Sequence, residues 1–580
     1  MQKNQQGLTR RSFLAGLAGA GALATAGLAG CAPRSASEAS KESAASPESA
    51  GAASASGNPG WLGDEPAIDG VDETRETDLL IVGAGNGGMA AAAYAADLGM
   101  DFVICEKGEV VGATRHWFAA LDTEPFASQG VTVDRQRLMG EIVRYSQGNC
   151  DQRLIKMWMD ESGDMFTFVD GIMAAGGAHV IADEYEMPGG MGGTDYYTPP
   201  FEHHYADANG GRDIEERNVL FEKHINEAGY EVTYGHKLVK LVREDGGRVS
   251  GAIFETADGI VQINAAKGVL LTTGGYPANP DMLTALSPVT AQSVTALGYN
   301  QNNTGDGIKA ALWAGAAKDL TSATMIFDRG LVAPGTKAGY TEESIEAGQP
   351  LFPGNGQFNP GTQPFLKVNM NGERFANESA DYDYLPHAAA QQPGGVYCSI
   401  WDANFGDDVQ RFHTLGCSAM TRNMVLGFKK DDGTYDLDAF FAEQLEDGRL
   451  QKADTLEELA EKLQLPVDAF LATCERYNEL FDAQEDADFG KEAYRLSALR
   501  TPPFYGATLG GTLLTTIDGI RINHHCQALD TQGQPIEGLY AAGDCSGSVF
   551  SGCYPDQLHG FACGRTMTEA IHVVKQVAGL

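Results

Sequence analysis

A glycine-rich segment has the residue types and spacing of a phosphate-binding turn. Residues 83–88 read G-A-G-N-G-G, which places Gly83, Gly85 and Gly88 in the pattern G-x-G-x-x-G. The first glycine of this pattern permits a tight reversal, the second lets the backbone approach a pyrophosphate, and the third lets a helix pack closely on a strand. Glu106 follows 18 residues after Gly88, where a carboxylate accepts hydrogen bonds from ribose hydroxyls. The segment therefore predicts a dinucleotide site.

Two predicted strands and a helix would position this turn. Residues 78–82 form a short apolar run typical of a buried parallel strand, and residues 102–105 predict a second strand that ends just before Glu106. The alanine-rich residues 89–98 predict a helix between the two strands. The N-terminus of that helix would direct free N–H groups and the positive end of its dipole at phosphates. This order of elements is typical of a Rossmann-like unit.

Three further motifs lie far apart in the chain. Residues 269–275 (V-L-L-T-T-G-G), 304–307 (T-G-D-G) and 538–544 (G-L-Y-A-A-G-D) follow the glycine turn in that order. Together the four motifs resemble the flavoprotein family of fumarate reductase, succinate dehydrogenase and 3-ketosteroid dehydrogenase. The resemblance covers most of residues 76–580, and residues 369–378 (N-M-N-G-E-R-F-A-N-E) are similar to a signature of that family's capping domain.

The resemblance implies an α/β fold with a Rossmann-like FAD-binding domain in two segments and an inserted α+β capping domain. The substrate would lie between the cap and the flavin ring. The chain would then divide into a signal (1–31), a flexible Ser/Ala-rich tether (32–74), the first FAD segment (75–285), the cap (286–500) and the second FAD segment (501–580).

FAD is the cofactor that the resemblance implies. We expect it to be bound non-covalently, because the alignment places Ala113, rather than His116, where membrane fumarate reductases carry the histidine that links the flavin. The residues expected to bind FAD are Gly83, Ala84, Gly85, Asn86, Gly88, Glu106, Lys107, Ala113, Thr114, Thr273, Gly274, Asp306, Gly543, Asp544 and Leu558.

The catalytic positions bear on the substrate. Enzymes of the fumarate type need cations to hold and polarise two carboxylates. Here Tyr382 stands where that family has its arginine proton donor, Leu513 and Leu514 stand where a histidine is expected, and residues 552–558 contain no arginine. We therefore expect a neutral substrate. Tyr382 resembles the tyrosine of ketosteroid dehydrogenases, which can protonate one carbon of an activated C=C bond; the alternative is a half-buried aromatic side chain with a satisfied hydroxyl.

Two more tyrosines are candidates for the active site. Tyr505 matches a tyrosine that lies near the substrate carbonyl in ketosteroid enzymes, and packing at the domain hinge is its alternative role. Tyr554 stands at a polar catalytic position of the family and would line the pocket, with a packing role again as the alternative. No spacing of His, Cys, Asp or Glu predicts a metal site.

These features favour an extracytoplasmic FAD-dependent reductase of an activated C=C bond, such as an enone, in a small neutral or ring-bearing substrate. Flavin N5 would supply the hydride and a tyrosine the proton. Three alternatives stay open: a ketosteroid-type dehydrogenase working oxidatively, a fumarate-reductase-like carboxylate reductase, and a non-catalytic flavin electron carrier. Because none of the ten cysteines forms C-x-x-C or C-x-x-C-H, electrons would come from a membrane quinol or a separate cytochrome.

The N-terminus has the features of an export signal. Residues 9–14 (T-R-R-S-F-L) fit the twin-arginine export pattern, and a short apolar stretch after them ends in L-A-G-C at Cys31, which resembles a lipobox. We expect export by the twin-arginine machinery and a lipid anchor on the outer face of the cytoplasmic membrane; a plain signal peptide is the alternative. The formal net charge of −37 argues against a nucleic-acid partner.

Overall fold

The computed structural model describes residues 57–182, 197–244, 246–298, 302–340, 351–380, 382–414 and 418–580. The predicted export signal, the lipobox with Cys31 and most of the predicted tether lie outside these residues. Among the helices of the described part, none combines the length and the hydropathy that crossing a membrane requires.

The described strands are, in chain order, β1 (Glu73–Val82), β2 (Phe102–Cys105), β3 (Phe118–Ala119), β4 (His179–Ile181), β5 (Glu202–Ala206), β6 (Val232–Thr233), β7 (Lys237–Arg243), β8 (Val249–Thr256), β9 (Gly259–Leu271), β10 (Val294–Leu297), β11 (Thr324–Val332), β12 (Gly354–Asn355), β13 (Leu366–Asn369), β14 (Tyr397–Trp401), β15 (Leu450–Ala453), β16 (Phe504–Thr516), β17 (Gln527–Leu529) and β18 (Pro535–Ala541).

The described α-helices are, in chain order, α1 (Asn86–Asp97), α2 (Glu124–Ser128), α3 (Arg135–Tyr145), α4 (Gln152–Ala175), α5 (Arg217–Glu227), α6 (Pro280–Leu286), α7 (Pro288–Ala291), α8 (Asp306–Trp313), α9 (Tyr384–Ala389), α10 (Phe405–Phe412), α11 (Ala419–Leu426), α12 (Leu437–Phe440), α13 (Ala442–Glu446), α14 (Leu456–Lys462), α15 (Val467–Ala483) and α16 (Phe561–Ala578).

The first sheet is built around β1, whose apolar residues 79–82 are almost fully buried. Its order is β17-β18-β9-β1-β2-β6, and the neighbours from β18 to β6 run parallel. β8 pairs antiparallel with β9 and β7 pairs with β8, so these two strands extend the sheet as a hairpin. The small alanine side chains of α1 let α16 pack against that helix. A parallel sheet covered by helices is the Rossmann-like arrangement.

The second sheet is centred on β16, a strand buried along its whole length. Its order is β12-β10-β16-β14-β13, and β11 and β15 also pair with β16. Residues 504–516 fall within the range predicted for the second FAD segment, yet the hydrogen bonds of β16 join it to this second sheet. One aromatic core, around Trp401 and Phe441, packs near β14 and β16. A small three-stranded sheet, β3-β5-β4, completes the strand pairing.

Two bulges interrupt the ladder between β11 and β16. Phe327 pairs with Thr512 and Gly330 pairs with Gly510, so β11 has one residue more than β16 in this interval. One step away, Met325 and Ile326 pair with Thr515 and Leu513, which leaves the extra residue on β16. A bulge changes the direction of the side chains beside it. The two bulges therefore set which side chains of this pair of strands face the neighbouring cavity.

Candidate active site

The parallel strands β1, β2, β9 and β18 end at one edge of the first sheet. Within two or three residues of their ends stand four predicted cofactor groups, which are the glycine turn, Glu106, Thr273 and Asp544. Ligands of open α/β sheets bind outside the carboxyl ends of such strands. The fold therefore brings together groups that the sequence scatters over more than four hundred residues.

The glycine turn needs its glycines for two different reasons. Gly83 has φ +102°, and a Cβ there would lie 2.7 Å from the carbonyl oxygen of Thr272, while a Cβ at Gly88 would lie 1.8 Å from the carbonyl oxygen of Gly83. A Cβ at Gly85 would meet no atom within 4 Å. Protein packing therefore requires Gly83 and Gly88, whereas Gly85 leaves the backbone open towards the cavity that it lines.

The N-terminus of α1 faces the same cavity. Gly85 occupies its N-cap position and offers no side chain to the first N–H groups, and the first turn carries no acid. Asn86 and Gly87 both line the cavity. Free N–H groups and the positive end of the helix dipole are what a phosphate recognises.

Glu106 and Lys107 are held in fixed directions at the end of β2. Glu106 Oε2 accepts a hydrogen bond from the N–H of Ala84 at 2.8 Å, and its Oε1 accepts one from the N–H of Gly108 at 2.8 Å. Lys107 Nζ donates to Asp306 Oδ2 at 2.8 Å and to Thr304 Oγ1 at 2.9 Å. The carboxylate that is expected to bind ribose is thus positioned by the glycine turn itself.

A cavity of about 440 Å³ runs along this edge. The predicted FAD residues that line it are Gly83, Gly85, Asn86, Glu106, Lys107, Ala113, Thr273, Gly274, Asp306 and Asp544.

The other predicted FAD residues support this wall from behind or lie beside it. Gly88 packs on Gly83, and Ala84 bonds Glu106, as described above. Thr114 lines the neighbouring cavity. The N–H of Gly543 donates to Glu569 Oε2 at 2.9 Å, and Leu558 is fully buried, with its carbonyl oxygen accepting from Tyr554.

The residues present fit FAD. Asp544 Oδ1 accepts no hydrogen bond from any residue that the structure describes, although Arg115 and Arg565 lie 3.8 and 4.0 Å from the carboxylate oxygens. A buried acceptor in this position suits a hydroxyl of the ribityl chain. Together with the open face of Gly85 and the uncapped start of α1, it matches a ligand with a central pyrophosphate and a hydroxylated chain on one side of it.

A second cavity, of about 460 Å³, adjoins the first. Both are lined by Val111, Gly112, Ala113, Arg115 and Cys563. A flavin ring held in the first cavity would face the second cavity beside these shared residues. The second cavity is therefore the candidate substrate site.

Tyr382 lies on the wall of the substrate cavity with 3% of its surface exposed. Its hydroxyl hydrogen-bonds to Ser418 Oγ and accepts from the N–H of Ser418 at 3.2 Å, and Ser418 Oγ donates to Thr362 Oγ1 at 2.8 Å. The Phe327 ring packs edge-on against it at 4.9 Å. The hydroxyl is thus hydrogen-bonded, as the packing alternative predicts, while the side chain lines the cavity, as catalysis requires.

Tyr554 also lines the substrate cavity, but its hydroxyl serves the local backbone. It donates to the carbonyl oxygen of Leu558 at 3.2 Å and accepts from the N–H of Ala562 at 3.1 Å. These bonds fix the loop that leads into α16. The structure therefore gives Tyr554 a positioning role in the pocket wall.

Tyr505 lies apart from both cavities. It stacks on Trp401, and its hydroxyl donates to Asp438 Oδ1 at 3.1 Å. On β16 it pairs with Trp401 and Lys452. This placement does not support the predicted contact of Tyr505 with a substrate carbonyl. The alternative, a packing role, fits better because aromatic side chains of the second sheet enclose the Tyr505 ring.

Positive charges reach the substrate cavity from positions that the sequence argument did not consider. Arg115, Arg212 and Arg329 line it. His116 and His559 line it too, but burial lowers the pKa of both rings, that of His559 to about 4, which favours their neutral forms. The prediction of a neutral substrate rested on three family positions that lack a cation, and the structure shows that other segments supply cations instead.

Arg329 could have been noticed in the sequence. The segment of β11 reads T-M-I-F-D-R-G-L-V, and a charged pair inside an apolar strand is expensive to bury without a purpose. The neighbouring Asp328 forms an ion pair with Lys367, whose Nζ lies 3.4 Å from Asp328 Oδ2. Arg329 is left facing the cavity.

A pair of buried carboxyl groups also borders the substrate cavity. Asp383 hydrogen-bonds to the side chains of Asp556 and Cys553, and it accepts from the N–H of Tyr554 at 2.9 Å. Burial raises the pKa of Asp383 to about 7. This raised pKa favours the protonated form of a carboxyl that directly follows Tyr382 in the chain.

The chain is similar to known flavoproteins over most of its length. A family model described as an FAD binding domain matches residues 78–557. A vinyl phenol reductase of Lactiplantibacillus plantarum is 27% identical over 499 residues, which cover 84% of this chain and 93% of that protein. A 3-oxosteroid 1-dehydrogenase of Mycolicibacterium smegmatis is 31% identical over 353 residues, 57% of this chain and 56% of that protein.

Solved structures support the same architecture. The open conformation of a flavocytochrome c3 fumarate reductase superposes with a TM-score of 0.63 at 23% identity, over 88% of this chain and 79% of that one. At this identity the likeness shows the fold alone. The predicted α/β class, with a Rossmann-like FAD-binding domain, is confirmed, as is FAD as the cofactor.

Proposed function

This chain belongs to the FAD binding domain family, and from that membership we propose that it reduces an activated C=C bond in a ring-bearing substrate. It is an FAD-dependent oxidoreductase of CH–CH bonds, as its relatives are. The observation that carries the proposal is that the two cavities adjoin and share Val111, Gly112, Ala113, Arg115 and Cys563 as lining residues. A flavin ring held in the first cavity would then meet a C=C bond bound in the second.

The chain's own residues account for the proton and for the apolar lining of the cavity. Reduced FAD, when bound, supplies a hydride to one carbon of the double bond. The Tyr382 hydroxyl, which donates to Ser418 Oγ in this structure, would turn to the substrate and give its proton to the other carbon. Phe327, Leu514 and Met420 provide the apolar part of the cavity wall, which suits a ring.

A reoxidation screen tests this function. The protein is reduced anaerobically with dithionite and mixed with enones, aryl-conjugated alkenes, steroids and dicarboxylates, while the flavin absorbance is followed. We expect ring-bearing compounds with a conjugated C=C bond to reoxidise the flavin and to yield the saturated product. Reoxidation by dicarboxylates alone would instead favour the carboxylate-reductase alternative.

The oxidative direction is a second candidate, because a relative 31% identical is a 3-oxosteroid dehydrogenase. Turnover with reduced viologen as donor is compared with turnover of the saturated compound with an oxidant dye. A faster reaction with viologen supports the reductase. A reaction that proceeds only with the dye would replace it by the dehydrogenase.

We also propose an extracytoplasmic location and an external electron donor. The motif around Arg10 and Arg11 and the lipobox at Cys31 support export and a lipid anchor. A membrane quinol or a separate cytochrome would then reduce the flavin, since no cysteine spacing in the chain predicts a haem or iron–sulfur centre of its own. The non-catalytic electron carrier is the alternative that a failed screen with every class of compound would favour.

A further inference from the structure

Arg329 is a buried cation in the substrate cavity. It lies in the bulged part of β11 with 2% of its surface exposed, and it lines the cavity together with Phe327, Gln357 and Tyr382. A guanidinium carries its charge at every accessible pH. Its charge therefore has to be balanced by what surrounds it or by what binds beside it.

The protein satisfies one end of this guanidinium. Nη1 donates to Gln357 Oε1 at 2.9 Å. Nε and Nη2 donate to no residue that the structure describes. These two nitrogens form one edge of the guanidinium, and this edge can give two parallel hydrogen bonds to a carboxylate.

Aromatic rings pack on the rest of the group. The guanidinium carbon lies 4.6 Å from the centroid of the Phe327 ring and 5.2 Å from that of Tyr382. Such stacking holds the plane of the guanidinium in place and leaves its edge for hydrogen bonding. The orientation of the Nε–Nη2 edge is thus set before a ligand arrives.

The neighbouring charges make their closest contacts with other groups. Asp328 Oδ2 forms an ion pair with Lys367, both side chains are 1% exposed, and the Asp328 charge also attracts that of Arg329 without a hydrogen bond between them. Arg115 lies 3.8 Å from Asp544 in the cofactor cavity. Arg212 is exposed, and its guanidinium lies 5.0 Å from the centroid of the Trp117 ring. Arg329 is therefore the cation of the substrate cavity that is both buried and left with an open hydrogen-bonding edge among the described residues.

We propose that the Nε–Nη2 edge of Arg329 binds a carboxylate of the substrate, and that the substrate is a ring-bearing unsaturated monocarboxylate. This inference rests on the proposed function, and it revises the neutral substrate expected from the sequence. One open edge accounts for one carboxylate, and the apolar wall of Phe327, Leu514 and Met420 accounts for the ring. Because the Arg329 guanidinium lies over the Tyr382 ring, a carboxylate held there would lie in the same part of the cavity as the tyrosine.

The test measures binding to the oxidised, FAD-loaded protein. Benzoate, phenylacetate, cinnamate and cyclohex-1-enecarboxylate are each titrated against their primary amides, and the change in flavin absorbance gives Kd. We expect the acid of the tightest-binding pair to bind at least about 30-fold more tightly than its amide. In Arg329→Gln this preference should disappear, and in Arg329→Lys it should be partly retained because the charge remains.

Two controls separate binding from folding. Arg476→Gln removes an exposed arginine of α15 and should leave the preference unchanged. FAD content and Tm are recorded for every variant, so that a loss of the acid preference caused by misfolding is recognised. If Arg329→Gln misfolds, the acid preference of Arg329→Lys decides whether the positive charge at this position binds the carboxylate. A wild-type protein that shows no preference for any acid, or an Arg329→Gln protein that keeps the preference, overturns the inference. Because turnover is not measured, a failure of the proposed reduction would show up in the reoxidation screen and not here.

Discussion

The guanidinium carbon of Arg329 lies 5.2 Å from the ring centroid of Tyr382, so a buried positive charge and the proposed proton donor share one wall of the substrate cavity. Arg329 lies on β11, and Tyr382 lies in the segment just before α9. A substrate held by Arg329 would be protonated by Tyr382 only if the two side chains keep this spacing. Phe327 contacts both and maintains it.

The proposed mechanism requires the phenol of Tyr382 as its proton donor. Tyr382→Phe keeps the ring that packs on Phe327 but removes the proton donor, so we expect turnover to fall about 10²–10⁴-fold with FAD still bound. Steady-state assays with reduced viologen and the best compound of the screen measure this. Tyr384→Phe is the matched control, because this exposed tyrosine stands two residues away and lines neither cavity. Equal activity of Tyr382→Phe and the wild type would remove Tyr382 from the mechanism.

Gly85 should matter for the cofactor more than for the fold. An alanine Cβ at this position meets no protein atom within 4 Å, but it would occupy the space where the backbone approaches the pyrophosphate. We expect Gly85→Ala to fold with a wild-type circular dichroism spectrum and to bind FAD at least about tenfold more weakly. FAD titration into the apoprotein, followed by flavin fluorescence, measures the change.

Gly140→Ala is the control for that experiment. Gly140 is an exposed residue within α3 with nothing near its Cβ, so alanine there should raise the free energy of unfolding by about 0.5–1 kcal/mol and leave FAD affinity unchanged. Wild-type FAD affinity in Gly85→Ala would show that the turn does not approach the phosphates.

The carboxyl of Asp383 should make stability depend on pH. Burial raises its pKa from the ordinary value to about 7, so between about pH 4 and pH 7 the folded protein binds more protons at this group than the unfolded chain does. Its contribution is complete below that window and is lost as pH rises through 7. We expect the free energy of unfolding to fall with rising pH by at most about 1.4 kcal/mol per pH unit, and to depend less on pH in Asp383→Asn.

Urea denaturation at pH 5, 6, 7 and 8 checks this expectation. Asp431→Asn, which changes an exposed carboxylate in a turn, should follow the wild-type profile. Parallel profiles for Asp383→Asn and the wild type would mean that Asp383 has an ordinary pKa in the folded protein.

Export should depend on the paired arginines of the N-terminus. In a host with twin-arginine machinery, replacing both Arg10 and Arg11 by Lys should retain the protein inside the cell, because that machinery reads the arginine pair. Cys31→Ala should still be exported but should lose its membrane association. Cell fractionation followed by immunoblotting measures both. Unchanged fractionation of either variant would contradict the corresponding part of the proposed location.

The cofactor site could be predicted because its signals are local. Gly83 and Gly88 are required by a turn of six residues, Gly85 leaves that turn open to the cofactor, and Glu106 directly follows the strand after the next helix. The contacts of Tyr505 could not be predicted in this way, since its ring packs on Trp401 and bonds Asp438, residues that only the second sheet brings near. The family alignment identifies the position of Tyr505 in the chain, but it carries no information about the residues that surround that tyrosine in the fold.

The charge of the substrate cavity was missed for a related reason. Counting cations at three family positions tests those positions and not the cavity as a whole. Arg329 enters from β11, a strand that contains no family motif, and it faces inward in a stretch where the ladder is irregular. The Asp-Arg pair inside an apolar strand marks a buried charge, but the direction in which it faces depends on the pairing of two strands almost two hundred residues apart, which leaves no local mark in the sequence.

The paired bulges of β11 and β16 also bear on how this site can evolve. Each strand carries one residue more than its partner in adjacent intervals, so the two irregularities compensate and the ladder beyond them is in register again. Loss or gain of a single codon in this stretch would exchange the side chain that faces the cavity while most of the sheet stays paired. Preference for a new substrate is then accessible through a small insertion or deletion, without rebuilding the cofactor site.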